Sequence, residues 1–479
     1  MLNKWKQTIS KFVCFVLTCQ LFILTTWAKP DWPSDTGIMA EAGIVMDMDS
    51  GAILYGQNIH LTYPPASITK ILTALIVLEN CSLDDTVTFS TTAVNQVEAD
   101  SGNKISVVAG DQLSVEDCLY SMLLVSCNQA ANALAEHTAG SISAFVDMMN
   151  EKLAELGCQE SHFENPSGLN GDNQYVSAYD MALIAQAAYD NETLVEISSA
   201  TTHKIAPTTQ NPDGFTIRGE HRLCVTEDPS SPYYYPEAIA GKTGYLIKAG
   251  NTLVTYAVKD NRRLVSVILK GQPRQYFVDG KALLEFGFRS FQHYTVADYE
   301  SRYVTGNETI NLDKGSFQAS DLMIDPDSVI TLPNSASFED ADITLGALPE
   351  ISPDNAVALL TYSYNDRTIG TAYLLAKDGV TIDGNDSAAE AATTAFDTAN
   401  AEAPLATASN AEKPQRPHKH ISVAGVLITI LIVLLVLGVI GLISWFIYSK
   451  KKEAKALAKR RERRRQRLQR SGEEEEFER

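Results

Sequence analysis

The hydrophobic pattern near the start of the chain predicts two strands followed by a helix. Between Ala42 and Tyr55, apolar runs flank the turn sequence Asp49-Ser50-Gly51, which is typical of a β-hairpin. The next apolar residues recur at the spacing of one helical face, and they are Ile68, Ile71, Leu72, Leu75 and Ile76. Because the two prolines at 64 and 65 are unfavourable inside a helix, we expect this helix to begin after them.

Helical spacing continues through the middle of the chain, and strand patterns return after residue 250. Ser114 is predicted to cap a helix, with Asp117 as the acid of a capping box. Three more helices are expected, over Gln129–Gly140, Ile142–Leu156 and Ala178–Tyr189. Two strands are expected over Thr252–Lys259 and Leu264–Lys270, joined at Asp260-Asn261. This order predicts an α+β domain over residues 29–291, with one sheet built from both ends of the domain and covered by helices.

The rest of the chain predicts further units, because 479 residues are too many for one ordinary hydrophobic core. Residues 294–378 contain short alternating runs separated by turn residues, which predicts a small all-β domain. Residues 379–420 are rich in Ala, Thr, Asn, Asp and Glu and hold few large apolar side chains. Such a segment cannot bury enough apolar surface to fold alone, so we expect a disordered linker.

Both ends of the chain carry targeting signals. Residues 1–28 combine three lysines, an uncharged apolar run and a small-residue site, which predicts a secretory signal peptide. A retained membrane anchor and a lipoprotein site at Cys19 are the alternatives. Residues 421–448 contain no charged side chain and predict one transmembrane helix. The basic tail, residues 449–479, is then expected in the cytoplasm, and residues 29–420 are expected on the outer side of the membrane.

Charge is distributed unevenly along the chain. The formal net charge is −20, yet residues 450–470 hold twelve Lys or Arg and two Glu. Residues 29–420 keep 23 basic and 52 acidic side chains, a charge of −29, which argues against nucleic-acid binding by the main body. Stop-transfer and contact with lipid headgroups account for the basic block, so no nucleic-acid partner is expected, although a cytoplasmic partner or nucleic acid bound by this tail is the alternative.

The cysteines predict neither a metal site nor a complete disulfide framework. Five of the seven lie between residues 29 and 420, and they are Cys81, Cys118, Cys127, Cys158 and Cys224. An odd number leaves at least one free thiol, and no Cys-x-x-Cys or His-Glu-x-x-His spacing occurs. We therefore expect no structural zinc and no other cofactor.

Ser67 and Lys70 are the first candidates for chemistry. A spacing of three places both side chains on one face of the predicted helix, away from its apolar stripe. A serine hydroxyl becomes a good nucleophile when a neighbouring base takes its proton, and burial or another cation lets an amine serve as that base. Alone, Ser-x-x-Lys more often marks a helix start with a solvated lysine.

Two further motifs raise the significance of the first. Ser126-Cys127-Asn128 lies between two predicted helices, where a short loop can present polar side chains to a cleft. Lys242-Thr243-Gly244 adjoins a strand region, and its glycine lets backbone approach a ligand closely. Each motif also has a purely structural interpretation: Ser-Cys-Asn as a helix cap, and the lysine of Lys-Thr-Gly as a solvated residue at a sheet edge. The order Ser-x-x-Lys, Ser-x-Asn, Lys-Thr-Gly is far more specific than any one motif, and it predicts a serine acyl-transfer site.

At this point the chain resembles the serine D-alanyl-D-alanine carboxypeptidases, the low-molecular-mass penicillin-binding proteins that share a fold with serine β-lactamases. The resemblance covers about residues 35–380, and its motifs are Pro64-Pro65-Ala66-Ser67-Ile68-Thr69-Lys70, Asn165-Pro166-Ser167-Gly168-Leu169, Tyr179-Asp180-Met181-Ala182 and Gly241-Lys242-Thr243-Gly244-Tyr245. Cys127 departs from the family, which often has glycine there. A free thiol beside the site and a small buried filler are both open readings of this cysteine.

The resemblance implies catalytic roles for Ser67 as nucleophile, Lys70 as base and Ser126 as proton relay. It implies substrate contacts for Asn128 and for the stretch 242–245, which comprises Lys242, Thr243, Gly244 and Tyr245. The backbone N–H groups of Ser67 and Tyr245 would form the oxyanion hole. The implied partners are the peptidoglycan stem peptide as substrate and β-lactam antibiotics as covalent inhibitors, with the membrane bound through the C-terminal helix.

Three other functions compete with this one. A class A-like β-lactamase needs a glutamate to activate water, and Glu164 is the candidate. A DD-endopeptidase would use the same residues. A receptor or scaffold that binds wall peptide or β-lactam without turnover would be expected to lack one catalytic side chain, and none is missing.

Overall fold

The structure is a computed structural model that describes residues 29–34, 36–98, 101–349 and 351–382. The predicted signal peptide, transmembrane helix and basic tail lie outside these residues, as does most of the predicted linker. Within the described ranges, no helix has both the length and the apolar character needed to cross a membrane.

Ten α-helices occur in the described residues, most of them between residues 70 and 225. They are α1 Lys70–Asn80, α2 Thr91–Asn95, α3 Val115–Leu124, α4 Asn128–Ala139, α5 Ile142–Glu155, α6 Ala178–Tyr189, α7 Glu192–Ser199, α8 Arg222–Val225, α9 Gln275–Ser290 and α10 Val296–Tyr299. Short 3₁₀ turns are found at Ala66–Thr69, Ala319–Asp321 and Phe338–Asp340.

Most strands of the described chain lie before residue 64 or after residue 237. They are β1 Ala42–Asp47, β2 Ile53–Gln57, β3 Thr62–Tyr63, β4 Thr86–Thr88, β5 Gln112–Ser114, β6 Val176–Ser177, β7 Thr202–Ile205, β8 Phe215–Arg218, β9 Ala238–Leu246, β10 Gly250–Lys259, β11 Arg262–Gly271, β12 Phe291–Thr295, β13 Thr309–Leu312, β14 Gly315–Gln318, β15 Leu322–Ile324, β16 Val329–Pro333, β17 Asp342–Gly346, β18 Ala356–Tyr364 and β19 Arg367–Ala376.

The main sheet combines the first strands of the chain with strands made 200 residues later, as predicted. Its order is β2-β1-β11-β10-β9, and every neighbouring pair is antiparallel. The turn between β10 and β11 holds Asp260 and Asn261 at φ values of 50° and 60°, which matches a tight hairpin turn. Strand β9, which carries the Lys-Thr-Gly motif, therefore forms one edge of the sheet.

Helices cover both faces of this sheet. Helix α9 packs on one face against β1, β10 and β11, while α6 packs on the other face against β1 and β11. Helix α1 lies inside the helical layer and contacts α3, α4, α5, α6 and α7. Its residues from Lys70 to Val77 are all buried, so the face that carries Lys70 is covered as well as the apolar stripe.

Helix α3 begins as predicted, but its acid has a different partner. The Ser114 hydroxyl accepts a hydrogen bond from the Asp117 N–H at 3.0 Å, which confirms the N-cap. The Asp117 carboxylate does not return to Ser114. It accepts from the Ala206 N–H at 3.0 Å and lies 2.7 Å from His203 Nε2. The second half of the expected capping box is thus replaced by a link from α3 to strand β7.

Strands β12 to β19 enclose a second apolar core, which includes Phe317, Leu360, Tyr362 and Leu374. The largest sheet here has the order β15-β19-β18-β17. A buried polar cluster joins this region to the main sheet: the Asp47 carboxylate lies 2.6 Å from His293 Nε2 and 3.6 Å from Arg262. Burial alone would raise the pKa of Asp47, but His293 and Arg262 together hold it below its ordinary value.

Candidate active site

Ser67 lies in the 3₁₀ turn Ala66–Thr69, directly before helix α1. Ala66 has a φ of 53°, which is uncommon for a residue with a side chain. A Cβ atom on Gly168 would overlap the Ala66 carbonyl oxygen, so only glycine lets the 165–169 loop approach this turn. The turn and the loop thus pack backbone to backbone beside Ser67.

The Lys70 side chain is fully buried and its amine has three oxygen neighbours. Nζ lies 2.9 Å from Ser67 Oγ and 2.7 Å from Asn128 Oδ1, and it also donates to the Ser167 carbonyl. None of these neighbours is a carboxylate. A neutral amine has two N–H groups and one lone pair, which match two acceptor oxygens and one hydroxyl donor. This environment therefore suits Lys70 as a base that accepts the Ser67 proton.

Electrostatics favour the same protonation state. Burial is the largest cause that lowers the pKa of Lys70 well below its ordinary value, and the positive charge of Lys242 lowers it further. Lys242 itself is 1% exposed, and burial lowers its pKa to about 8. Its Nζ donates to the Thr243 carbonyl at 3.0 Å. Lys242 is therefore not the solvated lysine at a sheet edge that the alternative interpretation predicted.

The Ser-x-Asn motif occupies the predicted break between two helices. Helix α3 ends at Leu124 and α4 begins at Asn128, while Ser126 between them has a φ of 62°. Cys127 is fully buried, and burial raises the pKa of its thiol to about 11. The buried-filler reading of Cys127 therefore fits the structure better than a reactive thiol.

Strand β9 lies close to the Ser67 turn because position 244 has no side chain. A Cβ atom on Gly244 would lie 2.8 Å from the Ser67 backbone nitrogen and would overlap the Thr252 hydroxyl. Thr252 is directly opposite Gly244 in β10, and its hydroxyl donates to the Pro65 carbonyl at 2.9 Å. The backbone around Gly244 is thereby fixed beside the nucleophile, where the predicted oxyanion hole requires it.

Sequence reasoning missed how the 165–174 loop supports Lys70. The Asn165 side-chain oxygen accepts from the N–H groups of Gly168 and Leu169, at 2.8 and 3.1 Å, and from the Ser167 hydroxyl at 3.0 Å. This turn holds the Ser167 carbonyl on Lys70. The Asn-Pro-Ser-Gly sequence is a turn signal, but only the fold shows which side chain the turn meets.

An open cleft of about 800 Å³ passes over these groups. Of the predicted site residues, it is lined by Ser67, Ser126, Asn128, Thr243, Gly244 and Tyr245. Lys70 and Lys242 are buried and lie outside its lining. Residues that were not predicted also line it, among them Lys104 and Glu220, whose charged groups pair at 3.2 Å.

Glu164 does not line this cleft, and it borders a neighbouring hollow instead. Its carboxylate accepts a hydrogen bond from the Asn173 N–H at 3.1 Å. The candidate glutamate of the β-lactamase hypothesis thus lies away from Ser67 and is engaged in holding a loop.

Comparison with known proteins agrees with the motifs. Residues 29–272 match the peptidase S11 family of D-alanyl-D-alanine carboxypeptidases. The chain is 35% identical over 265 residues to D-alanyl-D-alanine carboxypeptidase DacB2 of Mycobacterium tuberculosis, covering 54% of this chain and 84% of that protein. It is 30% identical over 357 residues to D-alanyl-D-alanine carboxypeptidase DacA of Haemophilus influenzae, covering 70% of this chain and 84% of that protein.

A solved structure extends the likeness in fold. The crystal structure of penicillin binding protein 6B from Escherichia coli aligns with a TM-score of 0.54 and 23% identity. The alignment covers 73% of this chain and 99% of that one. The motifs, the mixed sheet-and-helix fold and the matched family together establish that this chain belongs to the serine D-alanyl-D-alanine carboxypeptidase family of penicillin-binding proteins.

Proposed function

We propose that this protein removes the terminal D-alanine from peptidoglycan stem pentapeptides through an acyl-enzyme on Ser67. The observation that carries the proposal is the buried Lys70 amine, which lies 2.9 Å from Ser67 Oγ and contacts no carboxylate. A lysine kept neutral beside a serine hydroxyl is a general base in position for nucleophilic catalysis. The protein is a serine-type carboxypeptidase in this proposal and binds β-lactams covalently at the same serine.

In the proposed reaction, Ser67 Oγ attacks the carbonyl carbon of the penultimate D-alanine while its proton passes to Lys70 Nζ. The C–N bond then breaks, and Ser126 relays the proton to the leaving amine. D-alanine departs and leaves an ester on Ser67, which a water molecule hydrolyses to restore the serine. The N–H groups of Ser67 and Tyr245 stabilise the oxyanion in both halves of the cycle.

The remaining site residues position the reactants. Thr243, which lines the cleft, and the positive charge of Lys242, which is buried beneath that lining and donates to the Thr243 carbonyl, are assigned to the terminal carboxylate of the substrate. Asn128 was expected to bind the substrate amide. Because its Oδ1 accepts from Lys70 at 2.7 Å, we assign it the additional role of orienting the base.

The location of the enzyme is also part of the proposal. We infer that residues 294–378 form a separate small β domain and that residues 421–448 anchor the chain in the cell membrane. The catalytic domain then faces the cell wall and the basic tail faces the cytoplasm. This inference is supported by the charge and hydropathy of the sequence, where an uncharged run is followed directly by a basic block.

The direct test measures D-alanine release from a peptide that ends in D-Ala-D-Ala, using the full-length chain in detergent. Ser67→Ala is expected to abolish release. Ser320→Ala changes an exposed serine in the 3₁₀ turn Ala319–Asp321 and should leave release unchanged. No release by the unmodified chain, with penicillin still attached at Ser67, would favour an endopeptidase or a penicillin-binding sensor. No attachment either would contradict serine acylation.

The pH dependence of kcat/KM tests the two lysines, because this ratio reports ionisations of the free enzyme. Activity should rise with pH as Lys70 loses its proton, at a pH well below the ordinary value for lysine. It should fall above pH about 8, as Lys242 loses the charge that binds the carboxylate. Arginine stays charged in this range, so Lys242→Arg should move the alkaline fall to higher pH. If the alkaline fall of kcat/KM stays at the same pH in Lys242→Arg, the proposed role of Lys242 is contradicted.

A further inference from the structure

Three side chains of metal-binding type meet at the far end of the helix that begins with Lys70. Cys81 is the C-cap of α1, Asp85 lies in the turn that follows, and His137 is in the last turn of α4. One ligand atom from each lies within 4.8 Å of the others. His137 Nε2 is 3.8 Å from Asp85 Oδ2.

These separations are close to those of a tetrahedral zinc site. Zinc bonds of about 2.0–2.3 Å place neighbouring ligand atoms roughly 3.3–3.8 Å apart. The histidine and carboxylate already have this spacing. All three ligand atoms lie within 4.8 Å of one another, so the group must close further when it binds the ion.

Hydrogen bonds already orient two of the ligands. The Ser82 N–H donates to Asp85 Oδ2 at 3.0 Å, and the backbone of Cys81 is held by a hydrogen bond from its N–H to the Val77 carbonyl at 2.9 Å. The Cys81 sulfur lies 3.3 Å from the Thr138 hydroxyl. Such contacts hold metal ligands in place and lower the cost of binding.

The chemistry and exposure of the group select the ion. A thiolate, an imidazole and a carboxylate favour zinc over magnesium or calcium, which prefer oxygen ligands. The His137 and Asp85 side chains are 27% and 45% exposed, so water can supply a fourth ligand. The sequence did not predict this site, because two ligands come from residues 81–85 and the third from residue 137.

One other group of this kind occurs in the described residues, formed by Asp47, Asp49 and His293. Its carboxylates are already paired with cations. Arg262 lies 3.6 Å from Asp47, and Arg263 Nε lies 2.6 Å from Asp49 Oδ1. A metal ion would have to displace or sit beside two guanidinium groups, so this second group is not a good site.

We propose that Cys81, Asp85 and His137 bind one zinc ion, which links the end of α1 to the end of α4. On binding, the Cys81 thiol releases its proton to solvent and the sulfur donates its electron pair to the metal. Helix α1 has 11 residues and is about 16 Å long, so this site is remote from Lys70. Its role is structural, and the proposal does not depend on the peptidase reaction.

The test uses the full-length chain, freed of metal with a chelator and kept reduced with a phosphine. Titration with Co²⁺ should produce the near-ultraviolet absorption of a thiolate-to-cobalt charge transfer, saturating at one equivalent. Zinc should abolish this band by competition and should raise the midpoint of thermal unfolding by several degrees. Cys81→Ser should remove the band, and His137→Ala should weaken binding about a hundredfold or more.

Cys224→Ser is the matched control, because Cys224 also has a histidine neighbour, with its sulfur 3.2 Å from His221 Nδ1. This variant should retain the cobalt band. Asp85→Asn replaces a ligand with a side chain of the same size, and its circular dichroism without metal checks that the fold is kept. Absence of a cobalt band in the unmodified chain would overturn the proposal, as would a band that survives Cys81→Ser but not Cys224→Ser.

Discussion

Lys70→Arg is expected to slow the acylation of Ser67 by about 10²–10⁴-fold, the contribution of a positioned general base. Arginine keeps a basic side chain of roughly similar length, but a guanidinium cannot lose its proton at any pH the fold tolerates. The buried position beside Asn128 Oδ1 and the Ser167 carbonyl would then hold a permanent cation. The measurement is the rate at which a labelled penicillin attaches to the protein, followed across pH.

Two controls separate loss of the base from loss of the fold. Lys281→Arg changes a partly buried lysine whose Nζ donates to the Tyr234 carbonyl at 2.8 Å, and it should acylate normally. Lys70→Met removes the base without placing a permanent charge in the site and should be as slow as Lys70→Arg. Acylation of Lys70→Arg within tenfold of the unmodified rate would show that another group accepts the proton.

Gly244→Ala is expected to reduce the acylation rate by about 10²–10³-fold, the effect of losing one oxyanion-hole donor. The new methyl group would lie 2.8 Å from the Ser67 nitrogen and would overlap the Thr252 hydroxyl. Strand β9 must then move away from the Ser67 turn, carrying the Tyr245 N–H with it. The relevant measurement is kcat for D-alanine release together with the penicillin acylation rate.

Gly346→Ala is the matched control for this glycine. Gly346 also lies in a strand, β17, and the nearest atom to its added Cβ would be the Leu359 carbonyl oxygen at 3.8 Å. The control should therefore keep full activity. Unchanged kcat in Gly244→Ala would mean that the backbone of β9 does not stabilise the transition state.

The parts of the fold that sequence predicts best have signals within a few residues. The N-cap at Ser114 and the hairpin turn at Asp260-Asn261 were found because cap and turn preferences are local. Helix α9 and the β7–β8 hairpin were missed. Helix α9 contains Gly280 and Gly287 where it meets the sheet, and added Cβ atoms there would lie 2.8 and 2.7 Å from Leu253 and Leu264. These glycines weaken the helical signal in sequence while permitting close packing.

The candidate site shows the same difference between local signals, which sequence reveals, and long-range contacts, which it does not. Motif order placed Ser67, Ser126 and Thr243 correctly at one cleft. The Ser67 and Ser126 motifs lie at helix boundaries as predicted, whereas Thr243 lies inside strand β9. The burial of Lys242 was not predictable, because it depends on helices α7 and α8, which pack against β9 from distant parts of the chain. The contact between Lys70 and the Ser167 carbonyl joins residues 97 positions apart, and no local preference encodes it.

The joining of early and late strands in one sheet has a consequence for how the enzyme is made. Ser67 and Lys70 are synthesised early, but strand β9, with Gly244, appears about 170 residues later, and β1 must wait for β11 to become a central strand. Contacts of such long sequence separation form slowly. A nascent chain, which emerges N-terminus first, therefore carries Ser67 long before strand β9 exists, and under the proposed function it can become active only after strand β11 has been made.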